Sequence, residues 1–280
     1  MNLLTNDLKE LCINADDFAQ SRAIDDAVIY LAERKIISST SALVLSPRWA
    51  QSAKELTNLP VQVGLHLDLT SHFTDQFGCY HQLPELIYSA YTRQLSVQKL
   101  EKIIELQWDR FAEACGRSPD FIDGHQHVHQ LPIVRDALFS IISKKGWGLQ
   151  QNQWLRVCHA QHWRGYKAMI ISILGAKYFQ QMASQIGINT NSDFAGVYNF
   201  DENSKLKNLW ENWLDGLHGK TPLMMCHVAM PDKSNHQNDP DGMENDEIYS
   251  ARVNEYKWFA SESFQLLLNS KGYIVKGLTL

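Results

Sequence analysis

Short apolar segments alternate along the chain with segments of helical periodicity, and no low-complexity linker separates them. This alternation is typical of α/β proteins, in which helices connect the strands of a parallel sheet. The strands are predicted at residues 10 to 15, 38 to 45, 61 to 67, 120 to 124, 154 to 158, 194 to 199, 222 to 227 and 273 to 278. The helices are predicted at residues 21 to 34, 47 to 57, 96 to 115, 132 to 145, 163 to 186, 203 to 217 and 247 to 270. The length of 280 residues fits one large α/β domain or two small domains.

Two long segments are predicted as loops, residues 71 to 96 and residues 231 to 246, the second of which is rich in Asn, Asp, Gly and Pro. Loops of this length in a compact domain are usually lids or binding walls. Both directly follow predicted strands, and the loops after strands carry the substrate contacts of α/β barrels. We therefore expect the two segments to wall a ligand site.

Charge and cysteine content restrict the class of protein. The net charge of -5 comes from 26 basic and 31 acidic residues without a block of one sign, which argues against a nucleic-acid or membrane surface. Five widely spaced cysteines predict reduced thiols rather than a disulfide framework. The start has no basic leader followed by an apolar run, and the longest apolar run, residues 168 to 174, is too short to span a bilayer. The expectation is a soluble cytoplasmic protein with a small polar partner.

Residues suited to metal chemistry follow several predicted strands: Asp16 and Asp17, then His66, His125 and His227. Two carboxylates at the end of a buried strand are costly unless positive charge lies beside them, and a divalent metal ion supplies that charge. Aspartate and imidazole together suit zinc and other borderline or hard divalent ions. Each residue alone is more simply explained as a helix cap or a core residue. Their common place at strand ends favours a single site, because the ends of parallel strands meet.

Three histidines alternate in residues 125 to 129, so an extended backbone would point them the same way. The alternative is that His127 and His129 form hydrogen bonds behind the ligands, or cap the helix that begins near Leu131-Pro132, rather than binding an ion. Cys226 next to His227 suggests a thiol nucleophile with a histidine base. Neighbours on a strand face opposite ways, which argues against a cysteine hydrolase.

With these motifs the chain resembles the YdjC-like carbohydrate deacetylases, the ChbG/HpnK-type deacetylases. The matching stretches occur in family order over nearly the whole chain: Asn14-Ala15-Asp16-Asp17-Phe18, Ser39-Thr40-Ser41-Ala42-Leu43-Val44, Gly64-Leu65-His66-Leu67-Asp68-Leu69-Thr70, Asp123-Gly124-His125-Gln126-His127-Val128-His129 and Met225-Cys226-His227. The resemblance implies an irregular TIM-like (β/α) barrel that forms a single domain over residues 1 to 280.

The resemblance also implies a set of roles in the site. One divalent ion, Mg²⁺ or Zn²⁺, would be held by Asp17, His66 and His125. Asp16 beside it would be the general base, and His227 would be the general acid.

Three residues depart from the family pattern. Ala19 stands where glycine is usual, Gln126 where histidine is common, and Val228 where proline often follows the Cys-His pair. None of them is a proposed ligand. They therefore bear on the walls around the metal, and on the substrate, more than on the reaction.

The expected reaction is hydrolysis of an N-acetyl group on an amino sugar or an N-acetylated oligosaccharide, with release of acetate. One alternative is a barrel metallohydrolase that acts on another ester or phosphoester bond. Another is a non-catalytic sugar-binding protein of the same fold. The expected partner is the N-acetylated sugar, with no nucleic acid and no membrane, and a homodimer is left open.

Overall fold

The computed structural model describes residues 8–148, 153–201, 203–231 and 246–278. In this part of the chain, nine strands form one sheet in which every pairing is parallel. The strands are β1 (Lys9–Phe18), β2 (Ser39–Ala42), β3 (Gln62–Leu67), β4 (Phe121–Gly124), β5 (Trp154–Leu155), β6 (Asn189–Thr190), β7 (Asp193–Ala195), β8 (Pro222–Cys226) and β9 (Tyr273–Val275). The order across the sheet is β6-β5-β4-β3-β2-β1-β8-β7, and β9 pairs with β1.

Helices connect these strands, as the alternating sequence pattern predicts. The α-helices are α1 (Arg22–Glu33), α2 (Trp49–Leu56), α3 (Leu83–Tyr91), α4 (Val97–Cys115), α5 (Val134–Lys145), α6 (Tyr166–Ile171), α7 (Lys177–Gln185), α8 (Leu206–Asp215), α9 (Tyr249–Phe259) and α10 (Glu262–Ser270). Two 3₁₀ segments (His72–Phe77 and His125–Gln130) and a π-helical segment (Ser172–Ala176) accompany them. No helix within the described ranges is both long and apolar enough to cross a bilayer.

The centre of the sheet is a strand that is buried along most of its length. In β1 every residue from Leu11 to Phe18 is buried, as expected for a strand of a parallel sheet covered on both faces. The next helix, α1, begins at Ser21, whose side chain accepts a hydrogen bond from the Ile24 N–H. Its buried stripe, which includes Val28 and Leu31, packs into the main core.

The sheet curls into a barrel that backbone pairing does not close within the described residues, because β6 and β7 lie at opposite ends of the strand order. The Asn191 side chain bridges this gap. Its Oδ1 accepts from the Val157 N–H at 2.7 Å, and its Nδ2 donates to the carbonyls of Val157 and Asp193, each at 2.9 Å. One amide thus replaces a short piece of strand ladder, and the predicted α/β fold, an irregular TIM-like barrel, is confirmed.

Two predicted helices are interrupted in the structure. The one at residues 163 to 186 is α6, the π-helical segment and α7, with Gly175 at φ 111°. A Cβ at that glycine would lie 2.3 Å from the carbonyl oxygen of Gln130, so glycine is needed for the close approach. The one at residues 247 to 270 divides where the Ser261 side chain accepts from the Phe264 N–H at 3.3 Å and starts α10.

The prediction of a continuous loop at residues 71 to 96 was wrong. This segment contains the 3₁₀ segment His72–Phe77 and helix α3, which has a proline in its first turn. Of the other predicted loop, residues 232 to 245 lie outside the described residues.

Candidate active site

The end of β1 places two consecutive carboxylates in one cavity. Along a regular strand, Asp16 and Asp17 would point to opposite faces of the sheet. The pairing of β1 with β2 shifts register between Ala15 and Phe18, and Asp17 has a positive φ of 69°. Such a bulge re-aims side chains. Both aspartates consequently line the same cavity.

Asp17, His66 and His125 come together at the cavity floor. Asp17 Oδ1 lies 3.2 Å from His66 Nε2 and 2.9 Å from His125 Nδ1. One ligating atom from each residue lies within 4.8 Å of the other two. Arg252 Nη2 binds the other carboxylate oxygen of Asp17 at 2.8 Å and leaves Oδ1 facing the imidazoles. The sequence prediction that these residues meet is confirmed, while their role as ligands stays a proposal.

Carboxylates around this triad favour positive charge on its imidazoles. His66 Nδ1 lies 2.6 Å from Asp123 Oδ1 and 3.1 Å from Ser41 Oγ, which orients the ring and directs Nε2 to Asp17. Burial lowers the pKa of His66, but Asp123 and Asp17 outweigh it and raise the pKa to about 10. Burial also lowers the pKa of His125, but the neighbouring Asp17 outweighs burial, so the pKa is raised overall. One carboxylate and two imidazoles, with a carboxylate behind one imidazole, fit a divalent cation such as Zn²⁺.

A second group of candidate ligands lies beside the triad, but an arginine already neutralises its carboxylates. Asp16, His66 and Asp123 also bring ligating atoms within 4.8 Å of one another. Arg156, however, binds Asp16 through two hydrogen bonds of 2.7 and 2.9 Å and approaches Asp123 Oδ2 at 3.0 Å. A cation at this second place would meet the guanidinium, so the triad with Asp17 is the better metal site.

Asp16 is fixed and ionised. Besides the bidentate pair with Arg156, its Oδ1 accepts from Asn14 Nδ2 at 2.7 Å. Burial alone would raise the pKa of Asp16, but the Arg156 guanidinium holds that pKa well below the usual range. A carboxylate that is always charged at neutral pH and faces the cavity can accept a proton from water.

His227 approaches both aspartates from the opposite flank. Its Nε2 lies 4.0 Å from Asp16 Oδ2 and 3.9 Å from Asp17 Oδ2. Its backbone N–H donates to Glu255 Oε2 at 2.9 Å, and the Tyr198 hydroxyl donates to Glu255 Oε1 at 2.8 Å. Burial lowers the pKa of His227 to about 4 and raises the pKa of Glu255 to about 8. His227 is therefore neutral at pH 7, so it must receive a proton before it can act as an acid.

The expectation that the three histidines of residues 125 to 129 point the same way was wrong. Gln126 and His127 have positive φ values of 50° and 62°, so this segment is a tight turn rather than a strand. His127 Nδ1 lies 3.4 Å from Cys158 Sγ, and His129 Nε2 lies 2.8 Å from the carbonyl of Arg156. His129 thus supports the residue that holds Asp16, which matches the alternative of hydrogen bonding behind the ligands.

A cavity of about 540 Å³ opens above these groups. Its floor is polar and includes Asp16, Asp17, His125 and His227. Both segments predicted as binding walls contribute to it, through Ser71, His72, Phe73, Leu83 and Ile87 from residues 71 to 96 and through Asp246 from residues 231 to 246.

The sequence interpretation missed Arg156, Arg252 and Glu255, and it gave Asp123 no role although it quoted the motif that begins there. Arg156 had a usable signal, because a lone arginine in the apolar run of residues 154 to 158 requires a buried counter-charge. The others had weaker signals. Arg252 and Glu255 are both buried although their segment carries many charged residues, and such residues usually belong to a solvated helix face.

Comparison with known proteins agrees with this architecture. The model of the family described as YdjC-like protein matches residues 10–270. The chain belongs to the YdjC-like family. A chitooligosaccharide deacetylase of Enterobacter sp. (strain 638) is 27% identical over 157 residues, which cover 54% of this chain and 62% of that protein. A carbohydrate deacetylase of Danio rerio is 26% identical over 148 residues, 49% of this chain and 47% of that protein. The matched regions thus span only about half to three fifths of these YdjC-like relatives.

Solved structures share the fold. A protein of Enterococcus faecalis V583 named for cellobiose-phosphate cleavage superposes with a TM-score of 0.71 at 20% identity, covering 96% of this chain and 97% of that one. A peptidoglycan N-acetylglucosamine deacetylase superposes with a TM-score of 0.50 at 10% identity, covering 96% of this chain and 86% of that one. At these identities the likeness supports the barrel alone.

Proposed function

We propose that this chain is a metal-dependent carbohydrate deacetylase that hydrolyses an N-acetyl group on an amino sugar and releases acetate. One observation carries the proposal: an ionised Asp16, fixed by Arg156, borders a cation-binding triad on the floor of the same cavity. The relatives named chitooligosaccharide deacetylase and carbohydrate deacetylase support the choice of bond.

Asp17, His66 and His125 would hold one divalent ion, Zn²⁺ or Mg²⁺. A bound ion of this kind supplies Lewis-acid polarisation of a carbonyl and lowers the pKa of water toward neutrality. Arg252 keeps Asp17 Oδ2 occupied, and Asp123 keeps His66 Nδ1 occupied. Each of these contacts leaves one donor atom directed at the same point, which pre-organises the triad.

Asp16 accepts the proton of the attacking water, because it is charged throughout the neutral range and faces the cavity. The Arg156 contacts that keep it charged also make it a weak base, so the proton must move on. His227 Nε2, 4.0 Å from Asp16 Oδ2, relays that proton to the departing nitrogen. The amine requires this proton, because an amide anion does not leave at neutral pH.

An acetate-release screen over N-acetylated sugars tests the proposal. The metal-loaded protein should release acetate from at least one amino sugar, and Asp16→Asn should release it about 10²- to 10⁴-fold more slowly. A folded, metal-loaded protein that hydrolyses only esters or phosphoesters would instead establish the alternative metallohydrolase. Cytoplasmic location and a homodimer stay predictions.

A further inference from the structure

Two exposed histidines meet at the surface of the barrel. His162 Nε2 lies 3.0 Å from His218 Nε2, and neither residue is among the described residues that line the cavity. His162 follows β5 and His218 precedes β8, and these strands lie on opposite sides of the gap between β6 and β7 in the strand order. The histidine pair therefore connects the two sides of the barrel where, among the described residues, backbone pairing does not close it.

The contacts of His218 determine which of its ring nitrogens is available to a ligand. Its Nδ1 lies 3.0 Å from the carbonyl oxygen of Gly216. A carbonyl oxygen can only accept a hydrogen bond, so Nδ1 carries the hydrogen, and in the neutral ring Nε2 has a lone pair. A hydrogen bond from the far ring nitrogen to a carbonyl is the usual support of a metal-binding histidine.

The distance between the two Nε2 atoms suits one shared cation. Two imidazole nitrogens that each lie about 2.0–2.1 Å from one zinc ion are about 2.9–3.4 Å apart when the angle at the ion is about 90–110°. The observed 3.0 Å falls in this range. The ring planes are inclined by 63°, and the ring centroids are 4.3 Å apart, closer than in two rings that point head-on at each other. A cation beside the pair can therefore reach both nitrogens.

A buried ion pair holds the backbone next to both histidines. Asp193 Oδ1 accepts from the Gln161 N–H and Asp193 Oδ2 accepts from the His218 N–H, each at 3.0 Å. Arg164 binds the two carboxylate oxygens at 2.6 and 2.7 Å and donates to the Gly216 carbonyl at 2.6 Å. The side chains of Asp193 and Arg164 are almost fully buried. They form a rigid scaffold that places the two imidazoles side by side before an ion binds.

We propose that His162 and His218 form a second metal site, which binds one divalent transition-metal ion such as Zn²⁺, with water completing the coordination. Imidazole suits such ions, whereas Mg²⁺ prefers oxygen ligands. The ion links the loop after β5 to the segment before β8, and it stabilises the fold because unfolding separates its two ligands. Only two side chains hold this ion, so desalting removes it, and the metal content of desalted protein counts the triad alone.

Calorimetric titration with Zn²⁺ tests this site. The protein is first loaded with Zn²⁺ and desalted, so exchange of zinc at the triad gives no signal. One further equivalent of Zn²⁺ should then bind. His162→Gln and His218→Gln should each weaken this binding at least about tenfold, since loss even of a residue behind a metal ligand costs about 10- to 100-fold in affinity. Mg²⁺ should give no such equivalent.

The melting temperature gives a second measurement on the same proteins. Excess Zn²⁺ should raise the melting temperature of the Zn²⁺-loaded wild type, because the further ion binds the folded chain. The rise should be absent in His162→Gln and His218→Gln, and their melting without added Zn²⁺ shows that they are folded. His81→Gln, which removes an imidazole from another part of the chain, is the matched control and should behave as the wild type in both measurements.

Absence of a further equivalent of Zn²⁺ in folded wild-type protein would show that the two nitrogens share only a proton, and would overturn the inference. An equivalent that both glutamine variants retain would place the ion elsewhere and overturn it as well. Equal binding of Mg²⁺ would indicate oxygen ligands, with the same consequence. None of these outcomes depends on acetate release, so the second metal site and the proposed function are tested separately.

Discussion

The two flanks of the cavity floor handle charge in opposite ways. On one flank Asp17 faces His66 and His125, and the pKa values of both histidines are raised, so this flank collects positive charge. On the other flank burial lowers the pKa of His227 to about 4 and raises the pKa of Glu255 to about 8, so both side chains tend to be neutral. This difference supports a division of labour in the proposed mechanism, in which one flank would hold the cation and the other would transfer protons.

We call the flank of Asp17, His66 and His125 the charged flank. Removing one of its proposed metal ligands should have the largest effect. We expect His66→Ala to lower metal content to a small fraction and to reduce kcat/KM by at least about 10³-fold, because the Lewis-acid contribution is worth several kcal/mol. Elemental analysis measures the metal content, and the rate of acetate release measures kcat/KM. His162→Ala, which removes an exposed imidazole outside the cavity lining, is the control and should change neither. Full metal content in folded His66→Ala protein would contradict the triad.

Asp16→Asn should separate chemistry from metal binding. The amide keeps the size of the carboxylate but loses the base, so turnover should fall by about 10² to 10⁴-fold while the ion stays bound. Asp215→Asn is the control. It breaks the 2.6 Å ion pair with Lys271, but Asp215 is 59% exposed, so little should change. Loss of the ion in Asp16→Asn would instead make Asp16 a ligand.

The other flank, with His227 and Glu255, is the neutral flank, and burial of Glu255 there predicts that the stability of the fold depends on pH. Glu255 has an ordinary pKa of 4.5, raised by burial to about 8 in the folded protein. Between these values the unfolded chain has lost the proton that the folded chain keeps, so this residue lowers stability as pH rises. Relative to Glu255→Gln, the wild type should lose up to about 1.4 kcal/mol per pH unit in this window.

Urea denaturation at several values between pH 5 and 8 measures this slope. Glu211, whose side chain is 38% exposed on α8, is changed to Gln as the control and should leave the slope as in the wild type. If the free energy of unfolding depends on pH equally in wild type and Glu255→Gln, Glu255 is ionised in the folded protein. The two flanks would then both be charged.

The charged flank could be predicted from the sequence more fully than its surroundings. Asp17, His66 and His125 each end a recognisable apolar strand, and parallel topology alone brings strand ends together. The bulge that turns Asp16 and Asp17 into one cavity depends on a single backbone angle, φ 69° at Asp17, which apolar periodicity does not encode. Glu255, on the other flank, comes from a helix of mixed polarity.

The helical breaks were unpredictable for a related reason. Gly175 takes its conformation from a close approach to the backbone of Gln130, 45 positions earlier in the sequence. A local pattern of apolar residues continues through that point, so it predicts one helix. Tertiary contact interrupts the helix there, and the same interruption places Leu174 in the cavity wall.

Backbone strain on the charged flank gives the smallest predicted effect. Ala19 has φ 73°, where an L-residue costs about 1–2 kcal/mol relative to glycine. Its N–H donates to Asp25 Oδ1 and its carbonyl accepts from Ser46 Oγ, both at 2.7 Å, and these contacts hold the strained turn. Ala19→Gly should stabilise the fold by about 0.5–1 kcal/mol, since the greater flexibility of unfolded glycine offsets part of the relief.

Chemical denaturation of Ala19→Gly measures this gain, and Ala27→Gly is the matched control. Ala27 is a buried alanine inside α1 without such strain, so glycine there should destabilise by about 1 kcal/mol or more. Metal content and turnover of Ala19→Gly should stay at wild-type values, because Asp25 and Ser46 already impose the backbone path. A loss of turnover with a gain in stability would show that the buried Ala19 methyl group itself keeps the charged flank in place.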